Sequence, residues 1–138
     1  MAHWLVKSEA DAYGWDRFVA DGGTEWDGVR NPAAAGHLRA MRAGDEVFFY
    51  HSGAEKRIVG VATVAREARP DGEEGEWVSV RLEPVRPLAR AVSLAELKAE
   101  PALSGMAMLR QSRLSVAPVT PAEWTLIGTM ARLRDRAD

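Results

Sequence analysis

The sequence predicts an α+β domain built on a curved mixed sheet or small β-barrel flanked by helices. Three observations carry that expectation. Runs of strand character alternate with segments of helical period, and several of those helical segments open with capping chemistry. Neither an internal repeat nor a low-complexity linker divides the 138 residues, a length that can bury a core without disulfide or metal staples. A single domain over 1–138 is therefore expected, with a basic end over 132–138 that frays.

Taken in order, residues 3–7 (HWLVK) read as a short strand and 15–20 as a helical turn stopped by Gly22 and Gly23. Asn31-Pro32 opens a helix over 32–41, because an asparagine side chain caps free amides and proline tolerates the first helical position. Gly44 turns the chain into a strand over 45–52. Its central run, Val47 to Tyr50, is apolar at every position, the pattern of a strand covered on both faces. The polar hairpin 52–56 leads to a second strand over 57–66. A third follows over 76–85, in which Val78, Val80 and Leu82 alternate with Trp77, Ser79 and Arg81. Ser93 and Glu96 have the spacing of a capping box at the head of a short helix that Pro101 interrupts. One more strand is expected at 114–116. Thr120 and Glu123 repeat the capping device for a last helix on which Leu126, Met130 and Leu133 share a face.

Composition removes several classes of function. Cysteine is absent, which excludes disulfide frameworks, cysteine nucleophiles and cysteine-type zinc sites together, and suits a reducing cytoplasm. The apolar run 4–6 is broken by Lys7 and Glu9, so neither a signal peptide nor a membrane span is expected there, and the expected location is cytoplasmic. His3, His37 and His51 are too scattered for a metal motif, and no metal or cofactor is expected. A Gly-x-Ser-x-Gly elbow and a phosphate loop are both missing. A net charge of −2 gives no whole-molecule field toward phosphate. Any contact with nucleic acid must be local, and the uneven charge allows one: 67–76 holds five acids against Arg69, whereas 106–119 holds Arg110 and Arg113 and no acid. The arginines at 132, 134 and 136 read as a solvated face.

Two groups of residues could carry chemistry. Lys7, Ser8 and Glu9 end the first strand, where alternation puts Lys7 and Glu9 on one face; the plain reading is a surface ion pair, the sharper one a lysine activated beside a carboxylate. The five tryptophans differ from one another. Trp4 and Trp124 sit in apolar patterns and read as core, and Trp77 covers a strand edge. Trp15 and Trp26 each precede an aspartate in turn-rich sequence. The indole of Trp26 can be a wall on which a planar base stacks or an anchor for its loop, and the residue pattern leaves both readings open.

The stretches WLVKSE at 4–9, WDGVRN at 26–31, FFYHS at 48–52, IVGVA at 58–62 and RLSVxPV at 113–119 together resemble the EVE domain family, in order and over nearly the whole chain. That family is similar to YTH and ASCH domains within the PUA-like superfamily. The resemblance implies a five- or six-stranded barrel with helices outside it, and a pocket for a modified base in DNA or RNA. It implies a base pocket formed by Lys7, Ser8, Trp15, Trp26, Asn31, Tyr50, His51, Ser52 and Ser115, with Arg30 and Arg113 on phosphate. The chain departs from the family pattern at Ala10, where proline is common, and over 31–35, where a Tyr-Gln-Ala-Arg type of run is common. The function implied is a non-catalytic, monomeric reader with no membrane partner. Two alternatives stand beside it: hydrolysis of an acylated nucleoside by Lys7, Glu9 and a hydroxyl from Ser8 or Thr24, as in the ASCH group, and a small-molecule or protein interaction module using the same cleft.

Overall fold

A computed structural model of the chain describes residues 1–73 and 75–137, the stretch 133–137 by its backbone alone. Six strands form one mixed sheet in the order β2-β5-β4-β3-β1-β6, comprising β1 (His3–Glu9), β2 (Thr24–Trp26), β3 (Glu46–Ser52), β4 (Arg57–Pro70), β5 (Val78–Ser93) and β6 (Val116–Val119). β1 and β3 run parallel and all other pairs are antiparallel. The end strands β2 and β6 do not pair, so the sheet curves without closing into a hydrogen-bonded barrel. The helices are α1 (Ala10–Tyr13), α2 (Trp15–Asp21), α3 (Pro32–Ala40), α4 (Leu94–Ala99), α5 (Ala107–Arg110) and α6 (Pro121–Ala137), with a 3-10 turn at Pro101–Leu103. Among the described residues no helix is long and apolar enough to cross a membrane.

The capping chemistry forms as its spacing requires. Asn31 Oδ1 accepts from the Ala34 N–H at 3.0 Å, Ser93 and Glu96 close a reciprocal box at the head of α4, and Thr120 and Glu123 do the same for α6 at 3.1 and 2.9 Å. Every residue of β3 from Val47 to His51 is buried, as an unbroken apolar run implies.

Four departures from the sequence reading have physical causes. β5 continues through Pro84 and Pro87 to Ser93, well past residue 85. Its neighbour β2 pairs only with Val80 to Leu82, so beyond that point β5 is an edge strand, and an edge tolerates proline. β6 starts at Val116, although the Ser115 carbonyl still accepts from the Lys7 N–H at 2.9 Å. On α6 the buried positions are Ile127 and Ala131, because Trp124 stacks on Phe48 with centroids 3.8 Å apart and so sets the rotation of the helix. Leu126 and Met130 flank that stripe, and the side chains of Leu133, Arg134 and Arg136 lie outside the described residues. Finally, β2, α1 and α5 are short elements with no periodic signal of their own.

The parallel register pairs Lys7 with Tyr50 and Ser8 with His51. Since strand side chains alternate, Trp4, Val6 and Ser8 share one face with Val47, Phe49 and His51, while Leu5 and Lys7 share the other with Phe48, Tyr50 and Ser52. The first face packs α2 and α3. α6 covers the second through Trp124.

Asp45 fixes the start of this register. Its buried carboxylate accepts from the Ala2 N–H at 3.1 Å, the Trp4 indole at 3.0 Å and the Arg42 N–H at 2.9 Å. Burial alone would raise the pKa of this carboxyl; the bonds from Trp4, Arg42 and Ala2 and the nearby N-terminal ammonium outweigh it and hold the group below the ordinary aspartate range. Its folded pKa is thus depressed, so the stability it contributes is fully present above about pH 4 and is lost as pH falls through the lower folded value. Asp45→Asn should lower stability at neutral pH by about 2 kcal/mol, the scale of hydrogen bonds to a charged group, and flatten the acid limb of a stability–pH profile. An unchanged acid limb would contradict this role.

Among the glycines, Gly60 has the least room for a side chain. A Cβ there would meet the Trp15 ring at 2.5 Å, so Gly60→Ala must displace an indole or the β4 backbone. Urea unfolding should show a loss of about 2 kcal/mol, typical of overpacking.

Candidate nucleic-acid interface

The eleven residues expected at the site fall in three places. The first is the face carrying Phe49. Trp15 is only 8% exposed, its ring enclosed by Gly60, by Phe18 at 5.6 Å and by Phe49 at 5.4 Å. Most of the ring packs into the core, and with His51 it also lines an open cleft of about 510 Å³ beside α1 and α2. His51 is also buried, with both ring nitrogens committed: Nε2 lies 3.0 Å from the Trp15 N–H and Nδ1 lies 3.0 Å from Glu55 Oε1. A backbone N–H only donates, so Nε2 accepts and Nδ1 carries the proton. The bond from His51, with help from Arg57, holds the Glu55 carboxyl below its ordinary range. Ser8 Oγ donates to the Tyr13 carbonyl at 2.6 Å. Trp26 differs from these. It is partly buried, on the short strand β2, nearly perpendicular to Phe49 at 5.7 Å.

The acid before Trp26 is held away from the indole by strand alternation. Glu25 accepts from Ser79 Oγ at 2.8 Å and pairs with Arg66 and Arg69. Burial would raise its carboxyl, but the Ser79 and Arg66 bonds lower it further. After Trp26 the loop is pinned from the β4–β5 side, where Asp71 Oδ2 accepts from the Gly28 N–H at 2.9 Å and from Arg30 at 3.0 Å. The Gly28 bond, then Arg30, holds the Asp71 carboxyl below its ordinary range.

This loop forms the second place, a rim of cations and amides. The Arg30 guanidinium lies 5.6 Å from the centroid of Trp77, a residue that the sequence marked only as an edge cover. Asn31 spends its Oδ1 on the α3 cap and keeps Nδ2 as a donor. Asn31 and Arg113 line one cleft of about 360 Å³ together with Arg110, Gln111 and Ser112. In the sequence Arg110 stands out only as a charge in an acid-free stretch.

The third place lies across the sheet. Lys7 Nζ donates to the Ser112 carbonyl at 2.8 Å and sits 5.8 Å from the Tyr50 ring centroid, with Ser52 on the same face. Ser115 stands opposite Lys7 on the neighbouring segment. Burial pulls the Lys7 ammonium below the usual lysine value. Among the described residues no carboxylate lies within ion-pair distance of it, so neither reading of a Lys7–Glu9 pair matches the geometry. Lys7, Tyr50 and Ser52 therefore do not share a pocket with Ser8 and Trp26. No group of three His, Asp or Glu side chains suited to a metal occurs among the described residues.

The EVE domain model matches residues 2–130. Human thymocyte nuclear protein 1 is 35% identical to the chain over 91% of it and 72% of the relative. A crystal structure of that human protein in complex with 5-methylcytosine-containing DNA superposes with a TM-score of 0.86 at 32% identity, covering 95% and 98% of the two chains. An NMR structure of a Rhodopseudomonas palustris protein gives a TM-score of 0.92 at 49% identity, covering 96% and 94%. The YTH domain of a Zygosaccharomyces rouxii protein, solved with N6-methyladenosine RNA, shares the fold at 16% identity and a TM-score of 0.57, covering 94% and 86%.

The His51 assignment is directly measurable. Long-range 1H–15N spectra of the imidazole should show a protonated Nδ1 and a bare Nε2; a protonated Nε2 would mean that the Trp15 amide has lost this acceptor.

Proposed function

The chain belongs to the EVE domain family, and from that premise we propose that it is a non-catalytic reader of a modified base in nucleic acid. One observation carries the reading. Of the two indoles in turn-rich sequence, Trp15 is 8% exposed and packed among core aromatics, while Trp26 is only partly buried, at the foot of a loop that presents Arg30 and Asn31. An extruded base stacks on Trp26, Asn31 Nδ2 donates to its edge, and Arg113 with Arg110 holds the flanking phosphates. The human relative's complex with 5-methylcytosine DNA supports a methylated cytosine in DNA as the first ligand to try.

Local chemistry of this kind suits a chain whose net charge is −2, since one enclosed base supplies selectivity that a long basic track would not. The hydrolase alternative draws less support in its Ser8 form, because Lys7 stands on the opposite face of the sheet from Ser8 and Ser8 Oγ donates to the Tyr13 carbonyl.

Truncating Trp26 separates a stacking wall from an anchor. Trp26→Ala should leave the fold nearly intact and weaken binding of a 5-methylcytosine oligonucleotide by about 1–3 kcal/mol, the worth of a base–aromatic stack, with Trp26→Phe in between. The measurements are thermal unfolding and oligonucleotide affinity at fixed salt. A large loss of stability with unchanged affinity of the folded fraction would remove Trp26 from the site.

A further inference from the structure

All three lysines of the chain line one cavity of about 360 Å³. It lies on the face opposite Trp26, where the ends of β1 and β3 meet the β3–β4 hairpin, α4 and the α5 segment. Lys7 enters from β1, Lys56 from the hairpin and Lys98 from the last turn of α4, while Leu94, Met108 and Leu109 give an apolar wall. No aspartate or glutamate lines it. Since the chain has 15 arginines against these 3 lysines, the cavity collects one kind of cation, the compact point charge.

Two further features mark it as more than a dent between helices. Tyr50 is 3% exposed, and a tyrosine so deeply buried ordinarily pairs its O–H. Among the described residues no protein group bonds that hydroxyl, yet it is not one of the sealed, unpartnered polar atoms, so it opens on the cavity it lines. Lys56 has φ of 48°, the one non-glycine residue in the left-handed region among those described. Its carbonyl accepts from the Leu94 N–H at 2.8 Å. That bond ties the hairpin to the head of α4 and holds Lys56 and Lys98 on the same cavity.

We propose that this cavity binds a phosphomonoester, carried by a free phosphorylated small molecule or by the end of a nucleic-acid strand. A monoester near neutral pH is close to a dianion with three terminal oxygens, which suits three ammonium groups and the hydroxyls of Tyr50 and Ser52. A mid-strand diester offers one charge and two free oxygens and leaves part of this set unpaired. Lys7 keeps N–H groups to give, because Ser112 takes one. A dianion beside it would reverse the lowering that burial imposes. The site does not depend on the base reading, since it uses the other face of the sheet.

The test titrates the full chain with inorganic phosphate, then a nucleoside 5′-monophosphate, then one oligonucleotide with and without a 5′-phosphate, followed by amide shifts and calorimetry. Saturable binding of inorganic phosphate and the monophosphate is expected, weakened about tenfold by Lys98→Gln and by Lys56→Asn, which tolerates the same backbone region. Both side chains are exposed, so the melting temperatures of these variants without ligand should match the parent. Trp26→Ala should bind phosphate normally, so loss of the base site and loss of this one are distinguishable. Tighter binding of the 5′-phosphorylated oligonucleotide assigns the strand end, and a response confined to the monophosphate assigns a small molecule. Failure to saturate with phosphate and monophosphate, or affinity indifferent to both lysine substitutions, overturns the proposal. So does oligonucleotide binding that ignores the terminal phosphate while the monophosphate fails.

Discussion

The arrangement of chemistry on this protein depends on the parallel pairing of β1 with β3, and on the buried carboxylate that locks where that pairing begins. Asp45 directly precedes β3, and it bonds the backbone of Ala2 and the indole of Trp4 at the start of β1. From there the register runs without interruption to Glu9 and Ser52. A slip of one residue would carry Lys7 to the face now held by Ser8 and exchange Tyr50 with His51 relative to it. Asp45 lies at the far end of the strands from those residues, yet it decides which side of the sheet each one reaches. Its carbonyl also accepts from Val64 at 3.0 Å and from Thr63 Oγ1 at 3.1 Å, so one residue aligns β1, β3 and β4.

Acids organise the base-side loop without joining it. Glu25 pairs with Arg66 and Arg69 and Asp71 with Arg30, and each accepts from one further donor, Ser79 in the first case and the Gly28 amide in the second. These pairs at the partly exposed margin contribute little to global stability. Their effect is geometric: Asp71 holds the loop after Trp26 against the β4–β5 side and stacks the Arg30 guanidinium near Trp77. The cost is that Arg30 arrives at any phosphate already paired. Arg110 and Arg113, in a segment without acids, meet no such competition from their neighbours in sequence, which leaves the cleft they share with Asn31 the better placed for an anion.

The parts of the fold legible in the sequence are those governed by local rules. Asn31, Ser93 and Thr120 announce helices because capping acts within one turn, and the run from Val47 to Tyr50 announces a two-sided strand because burial leaves no polar position. What escaped depends on partners distant in sequence. Pro84 and Pro87 look like strand breakers until β2 is seen to stop short of them. The buried stripe of α6 follows Trp124, whose placement is set by Phe48 on another strand. For the candidate site, the sequence offers residue types and not their grouping. Lys7 and Ser8, adjacent in the chain, fall into one implied pocket with Tyr50, His51 and Ser52, and only the register separates them. Trp15 and Trp26 have similar neighbours in sequence, and what tells them apart is a missing Cβ at Gly60, which admits one indole to the core.

The same register explains why the polar residues gather where they do. Among the described residues β1 and β3 are the only parallel neighbours in the sheet, so their carboxyl ends emerge side by side. β6 pairs with β1 only as far as Val6, and past that point Lys7 keeps a single backbone bond to Ser115. The sheet thins just as the sequence turns from apolar to polar, and α1, α2 and α5 pack around the projecting ends instead of further strands. Alternation then divides the polar side chains between the faces, Ser8 with His51 toward the aromatic side and Lys7 with Ser52 toward the cavity bounded by α4 and α5. The lysine-lined cavity on the second face therefore needs no separate scaffold, since it forms where two parallel strands end together at the margin of one sheet.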